Sequence, residues 1–141
     1  MLVVAVSLGG HLFAIRRTQD GIAASGGKGL WSDALHRFAA EVDGHPEIRV
    51  VSLDWGFNEQ LAFLTEGPSL EEPVWRLQHG ETIRLDPDPN TIYLLHPEPY
   101  TILPWAREKL LASGAIDPSR DEIREYRDRE GDVAFLAIRL R

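Results

Sequence analysis

Asp54, His96 and Glu98 are side chains of the kind that move protons or hold polar ligands, and they fall at corresponding places in the chain. Asp54 follows the run Ile48-Arg49-Val50-Val51-Ser52-Leu53, and His96 and Glu98 follow Thr91-Ile92-Tyr93-Leu94-Leu95. Both runs are short, apolar and rich in β-branched residues, which suits strands buried on both faces. If the two strands are parallel neighbours, their carboxyl ends share one edge of a sheet, where open α/β folds bind their ligands. A histidine beside two carboxylates at such an edge can do acid–base work or bind a hydroxylated ligand. Trp55 and Asn58 follow Asp54 closely and add an aromatic ring and an amide to the same candidate binding surface.

The same residues also suit a purely structural role. An aspartate at a strand-to-helix junction can accept backbone N–H bonds at the helix start. Trp55 is expected to be largely buried against the helix that begins near Phe57, with its indole N–H satisfied. Pro97 and Pro99 can hold a loop open around a solvated His96. Junctions of this kind are commoner than active sites, so both readings stay open on pattern alone.

The elements that must position these residues are legible from periodicity. Leu35, Phe38, Ala39 and Val42 recur at the spacing of one buried helix face within Leu30 to Val42, with Ser32 or Asp33 as the start signal. Gly44-His45-Pro46 breaks that helix before the first strand. Phe57, Leu61 and Leu64 mark a second helix, closed by Gly67-Pro68. Val74 to Gln78 alternates like a half-exposed or edge strand, and Asp86-Pro87-Asp88-Pro89 is a rigid turn. A third helix is expected over Thr101 to Ser113, with Pro104 in its first turn and Gly114 at its end. The tail reads as a hairpin, 122 to 127 and 133 to 140, turning at Asp128 to Gly131. Short apolar runs separated by helices require crossover connections. The expected fold is therefore α/β, a three-layer Rossmann-like sheet with helices on both faces and a C-terminal antiparallel β-hairpin, in which 48 to 53 and 91 to 95 are parallel neighbours.

The chain has 141 residues, the length of one domain, and reads as an apolar N-terminal segment over 1–20 followed by a single α/β domain over 21–141. Its formal net charge of −7 argues against nucleic acid as a partner, since binding a phosphate backbone draws on clustered Lys and Arg. Without cysteine there is no disulfide, thiolate metal site or Cys nucleophile. The histidines at 11, 36, 45, 79 and 96 form no HxH or HxxxH pair, so no metal site and no cofactor is expected. The glycine-rich stretch Ala24 to Asp33 departs twice from the phosphate-binding pattern GxxxxGK[ST]. Ile22 stands where the first Gly belongs, and Gly29 follows Lys28 in place of Ser or Thr. It reads as a flexible loop leading into the helix.

Leu2 to Ile15 is the most apolar stretch, yet it is too short to span a bilayer, which takes about 20 residues. It is compatible with a buried strand over 2 to 6, which the β-branched run favours, or with the trailing end of a membrane helix. No basic region precedes it, which disfavours a signal peptide. Arg16-Arg17 directly after it is what the positive-inside rule expects on a cytoplasmic face.

Gly26-Gly27, Gly29 and Trp31-Ser32-Asp33, then Leu53-Asp54-Trp55-Gly56 with Gln60, Leu61, Leu64 and Gly67, then the closing hairpin, resemble one known region. They look like the C-terminal extracytoplasmic domain of bacterial membrane glycosyltransferases of the GT-C type, related to the dolichyl-phosphate-mannose protein mannosyltransferases. The resemblance runs from about residue 21 to the end, and the Asp-Trp-Gly block with its helix is its most specific part. It implies a non-catalytic domain on the extracytoplasmic face of the bacterial inner membrane, with a cytoplasmic location as the alternative. Its partner would be the membrane portion of a parent enzyme that takes sugar from a polyprenyl-phosphate donor, and it would assist in binding a glycan or lipid-linked acceptor. The family's catalytic acid lies on an early loop between membrane helices, so no catalytic role passes to any residue here. The competing expectation is a free-standing α/β enzyme or small-molecule binder using Asp54, His96 and Glu98.

Overall fold

The computed structural model describes residues 2–79 and 81–141, with side chains from Gly10 onward. A helix, α1 (Leu2–Ser25), leads into a 3₁₀ turn at Gly29–Trp31 and the amphipathic helix α2 (Ala34–Val42). The strand β1 (Arg49–Ser52) is followed by α3 (Asn58–Leu64), the short strand β2 (Ser69–Glu71) and a 3₁₀ segment over Pro73–His79. Then come β3 (Thr91–Leu95), α4 (Pro104–Ala112), β4 (Glu122–Arg127) and β5 (Val133–Arg139).

All five strands form one sheet in the order β2-β1-β3-β5-β4. β1 pairs in parallel with both β2 and β3, in the register Val50 to Ile92 and Val51 to Tyr93 on the β3 side. β5 runs antiparallel to β3 and to β4, so the hairpin closes the far side of the same sheet. The hairpin turn holds itself: Asp128 Oδ1 accepts the backbone N–H groups of Glu130 and Asp132, both at 3.0 Å.

Alternation along the strands sends their side chains to two cores. Val50, Ile92, Leu94, Phe135 and Ala137 face α2 and α3, which contribute Leu35, Phe38, Val42 and Leu61. Val51, Leu53, Tyr93, Leu95 and Ile138 face the other way, against Val74, Leu77 and the Ala106 and Leu110 face of α4. This is the expected three-layer arrangement, including the parallel β1–β3 pair and the C-terminal hairpin. The face expected of α2 is the one buried, and Ser32 supplies its start, its Oγ accepting the N–H of Ala34 at 3.1 Å.

Two expectations give way. Val74 to Gln78 is a 3₁₀ segment rather than a strand: Val74 and Leu77, three residues apart, are the buried pair, which is the 3₁₀ period. Residues 2 to 6 belong to α1 and not to a strand; all five places in the sheet are filled by other segments, and the helix-compatible residues beyond Leu8 carry the same helix through to Ser25. α1 is about 36 Å long at a 1.5 Å rise per residue. None of Gly10 to Ala24 is buried, and Leu12, Phe13, Ile15 and Ile22 are exposed. Among the described residues no helix is long and apolar enough to cross a membrane.

Candidate functional site

The strand order reverses direction at β1: the chain moves from β1 outward to β2, then returns across it to β3. Beyond the carboxyl ends of β1 and β3 lies the crevice where doubly wound folds place their ligands. Here the protein's own groups fill it. Asp54 is 0% exposed and His96 3% exposed. Asp54 Oδ1 accepts the backbone N–H of Trp55 at 2.8 Å and of Leu103 at 3.1 Å. Its Oδ2 accepts the N–H of Ile102 at 3.2 Å and lies 3.3 Å from His96 Nδ1. A carboxylate only accepts, so the imidazole carries its hydrogen on Nδ1.

The other members of the expected group have separate partners. The His96 ring stacks on Phe57, centroids 4.1 Å apart at 12°. Asn58 Oδ1 accepts the hydroxyl of the buried Ser52 at 2.7 Å, tying the first turn of α3 to β1. Glu98 is on the surface, its side chain 84% exposed, and pairs with Arg107 of α4 at 3.6 Å. The fold thus unites Asp54 and His96 in one contact and directs Glu98 outward. Four donors share the two oxygens of Asp54, so this carboxylate joins β1 to the segment that enters α4. Its burial keeps it from meeting a ligand.

Trp55 departs from the burial expected of it and is 38% exposed. The reason lies in its neighbours. Asp54 and Phe57 both point inward, Phe57 at 2% exposure, and the chain crosses the surface between them through Trp55 and Gly56, the latter at φ +102°. Phe57, not Trp55, fills the core position at the head of α3, where it also meets Phe135 edge-on.

The exposed face of Trp55 lines a cleft with Leu30, Trp31, Gly56, Glu59 and Gln60. Trp31 is 71% exposed. Sequence periodicity conceals this, because Trp31 lies four residues before Leu35 and helical spacing would bury it. The 3₁₀ turn that ends at Trp31 breaks the phase before α2 starts.

A second acidic feature sits just past β2. Glu72 Oε2 accepts the indole N–H of Trp75 at 2.7 Å, while its buried Oε1 has no hydrogen-bond partner among the described residues. Burial pushes its carboxyl up from the ordinary glutamate value, against the Trp75 bond. Among the described residues no group of three His, Asp or Glu side chains is placed to hold a metal ion.

The glycine-rich stretch is a fixed connection rather than a flexible loop. Gly26, Gly27 and Gly29 have φ of +74°, +76° and +54°. A Cβ on Gly27 would lie 2.0 Å from the Trp31 carbonyl oxygen, and one on Gly29 would meet the Tyr100 ring at 2.6 Å. Lys28 pairs with Glu130, so the loop's cation faces the hairpin and not an anion. Arg129 donates to Asp33 at 2.7 Å and to the carbonyls of Ala23 and Ala24, both at 3.1 Å. The last carbonyls of α1, which lack intrahelical partners, are satisfied by the tip of the C-terminal hairpin.

Fold and site together define a three-layer α/β domain whose switch-point crevice is closed by its own side chains and whose open cleft is aromatic. No protein-family model matches the chain, and neither the curated proteins nor the solved structures compared with it give a match.

Proposed function

We propose that this chain is a non-catalytic domain of a membrane glycosyltransferase that uses a polyprenyl-phosphate-linked sugar donor, held at the membrane portion of its parent enzyme on the extracytoplasmic face. The observation that carries the reading is α1. Its root is clamped to the domain by Arg129, yet residues 10 to 24 are exposed to solvent, the large apolar Leu12, Phe13, Ile15 and Ile22 among them. Several large apolar side chains exposed along one helix suit a contact with a membrane or another protein. Attachment to a membrane-embedded enzyme supplies that contact. The closed Asp54–His96 pair supports the non-catalytic part of the reading, because neither group is open to a substrate. The Asp-Trp-Gly block and the glycine-rich loop, on which the family resemblance rests, are the two segments that the fold uses to join β1 to α3 and α1 to α2.

The test is flotation of the 141-residue chain with vesicles of bacterial phospholipid, together with a transfer assay using a polyprenyl-phosphate sugar and a peptide or lipid acceptor. The chain is expected to float, the variant Phe13→Asp with Ile15→Asp to remain in solution, and neither to form product. Equal flotation of the two proteins, or turnover that disappears in Asp54→Asn, would overturn the proposal.

A further inference from the structure

The cleft between Trp31 and Trp55 is built without the apolar half of α1, so its role is separable from how the domain is attached. We infer that it is a binding site for one hexopyranose unit of a glycan. Two exposed indoles line a cavity of about 260 Å³ together with Leu30, Gly56, Glu59 and Gln60. That volume is below the roughly 300 to 1,000 Å³ of sites for drug-sized ligands, and it suits a single ring better than a helix or an extended peptide.

The chemistry of the walls selects the ring. An indole face carries the negative lobe of the aromatic quadrupole, and the C–H face of a pyranose is its positive complement. The hydroxyl rim of such a ring needs acceptors and donors at the edge of the stack, and the cleft offers both. The Glu59 carboxylate is exposed and makes no hydrogen bond or ion pair among the described residues. Gln60 uses its Nε2 on the Gly56 carbonyl at 2.8 Å, which leaves its own carbonyl oxygen as an acceptor. The indole N–H groups of Trp31 and Trp55 have no partner among the described residues, whereas that of Trp75 is held by Glu72. Trp105, the fourth tryptophan, has the Lys109 ammonium over its ring at 5.8 Å. The acidic edge and the engagement of Lys28 by Glu130 disfavour an anionic ligand.

Glycine at 56 suits the role. An added Cβ there would meet nothing within 4 Å, so the space beside the indole is open, and its φ of +102° sets the turn that brings Trp55 to the surface.

The test is a titration of the full chain, ¹⁵N-labelled, with methyl α-D-mannopyranoside and with cellobiose, reading the four indole N–H resonances. D-mannitol, an acyclic polyol that has the hydroxyls without the pyranose ring and its C–H face, serves as control. The resonances of Trp31 and Trp55 are expected to shift saturably with at least one pyranoside, with a Kd of about 1 to 10 mM, the scale a few exposed contacts supply. Those of Trp75 and Trp105 should stay in place. Trp31→Ala and Glu59→Gln lie on the surface and should keep the parent amide spectrum while weakening binding about two- to tenfold, the scale of a single aromatic contact. No saturable shift with either sugar, equal shifts with mannitol, or unchanged affinity in both variants would overturn the inference. Sugar binding by a chain that fails to float with vesicles would leave the inference standing and remove the proposed attachment instead.

Discussion

Nδ1 of His96 lies 3.3 Å from Oδ2 of Asp54, and both side chains are sealed beyond the carboxyl ends of β1 and β3. The contact spans 42 residues of sequence and joins the two loops that would otherwise open a ligand crevice. Replacing Asp54 by Ala strands three backbone N–H groups and one ring N–H in the interior. Taking the shared acceptor from several buried donors costs about 3 to 5 kcal/mol. Urea unfolding should show a loss of that size for Asp54→Ala and a smaller one for Asp54→Asn, whose amide oxygen still accepts. A midpoint unchanged from the parent would mean that the carboxylate is not the anchor described.

Two carboxyl groups give the protein opposing responses to acid. Asp121 is held well below the usual aspartate range by the Arg120 guanidinium and by the backbone N–H groups of Asp117 and Arg141. Its contribution is fully present above the unfolded value of about 3.9 and is lost as pH falls towards the depressed folded value. Glu72 has the reverse sign, because its raised carboxyl binds a proton in the folded chain before the unfolded one, so stability falls as pH rises through that window. Melting curves between pH 3 and pH 7 should show a weaker acid loss in Asp121→Asn and a weaker loss with rising pH in Glu72→Gln. A profile identical to the parent in either variant would remove that group from the account.

Exchange of roles between Trp55 and Phe57 is measurable by truncation. Phe57 stacks on His96 and is closed from solvent, so Phe57→Ala should cost about 3 to 5 kcal/mol. Trp55→Ala removes a larger but partly solvated ring and should cost about 1 to 2 kcal/mol. Chemical denaturation that ranks the two the other way would place Trp55 in the core.

Gly27 and Gly44 share nearly the same backbone angle, φ +76° and +73°, and differ in their surroundings. A Cβ at Gly44 meets nothing within 4 Å, so Gly44→Ala should cost only the left-handed strain, about 1 to 2 kcal/mol. At Gly27 the same methyl strikes the Trp31 carbonyl, and the loss should be at least about twice as large. Equal shifts in melting temperature would show that the loop yields without cost.

Much of this architecture can be read from local chemistry. β1 and β3 stand out as β-branched runs because each is buried on both faces, and α2 because one stripe of Leu35, Phe38, Ala39 and Val42, joined by Ala34, is buried against the core. β2 is hidden because a three-residue edge strand, Ser69-Leu70-Glu71, carries no periodic signal, and it is recognised only by its register with Arg49 to Val51. The two readings of Asp54 differ in whether Ile102 and Leu103 come within reach of it, a fact set 48 residues downstream by the entry of α4. Glu98 is two residues from His96, but the proline-bounded 3₁₀ turn at Glu98–Tyr100 swings it to Arg107. Chain-local patterns identify elements; they do not show which way a turn aims its side chains.

The Arg129 clamp also orders events in time. The carbonyls of Ala23 and Ala24 wait for a guanidinium 106 and 105 residues further along. During synthesis α1 is complete long before the residue that aims it exists, so until then the helix is joined to the rest of the domain through the glycine-rich turn alone. Only when the final hairpin is made can Arg129 fix the direction of α1 relative to the sheet. A chain stopped before residue 129 would keep its helix and lose its bearing.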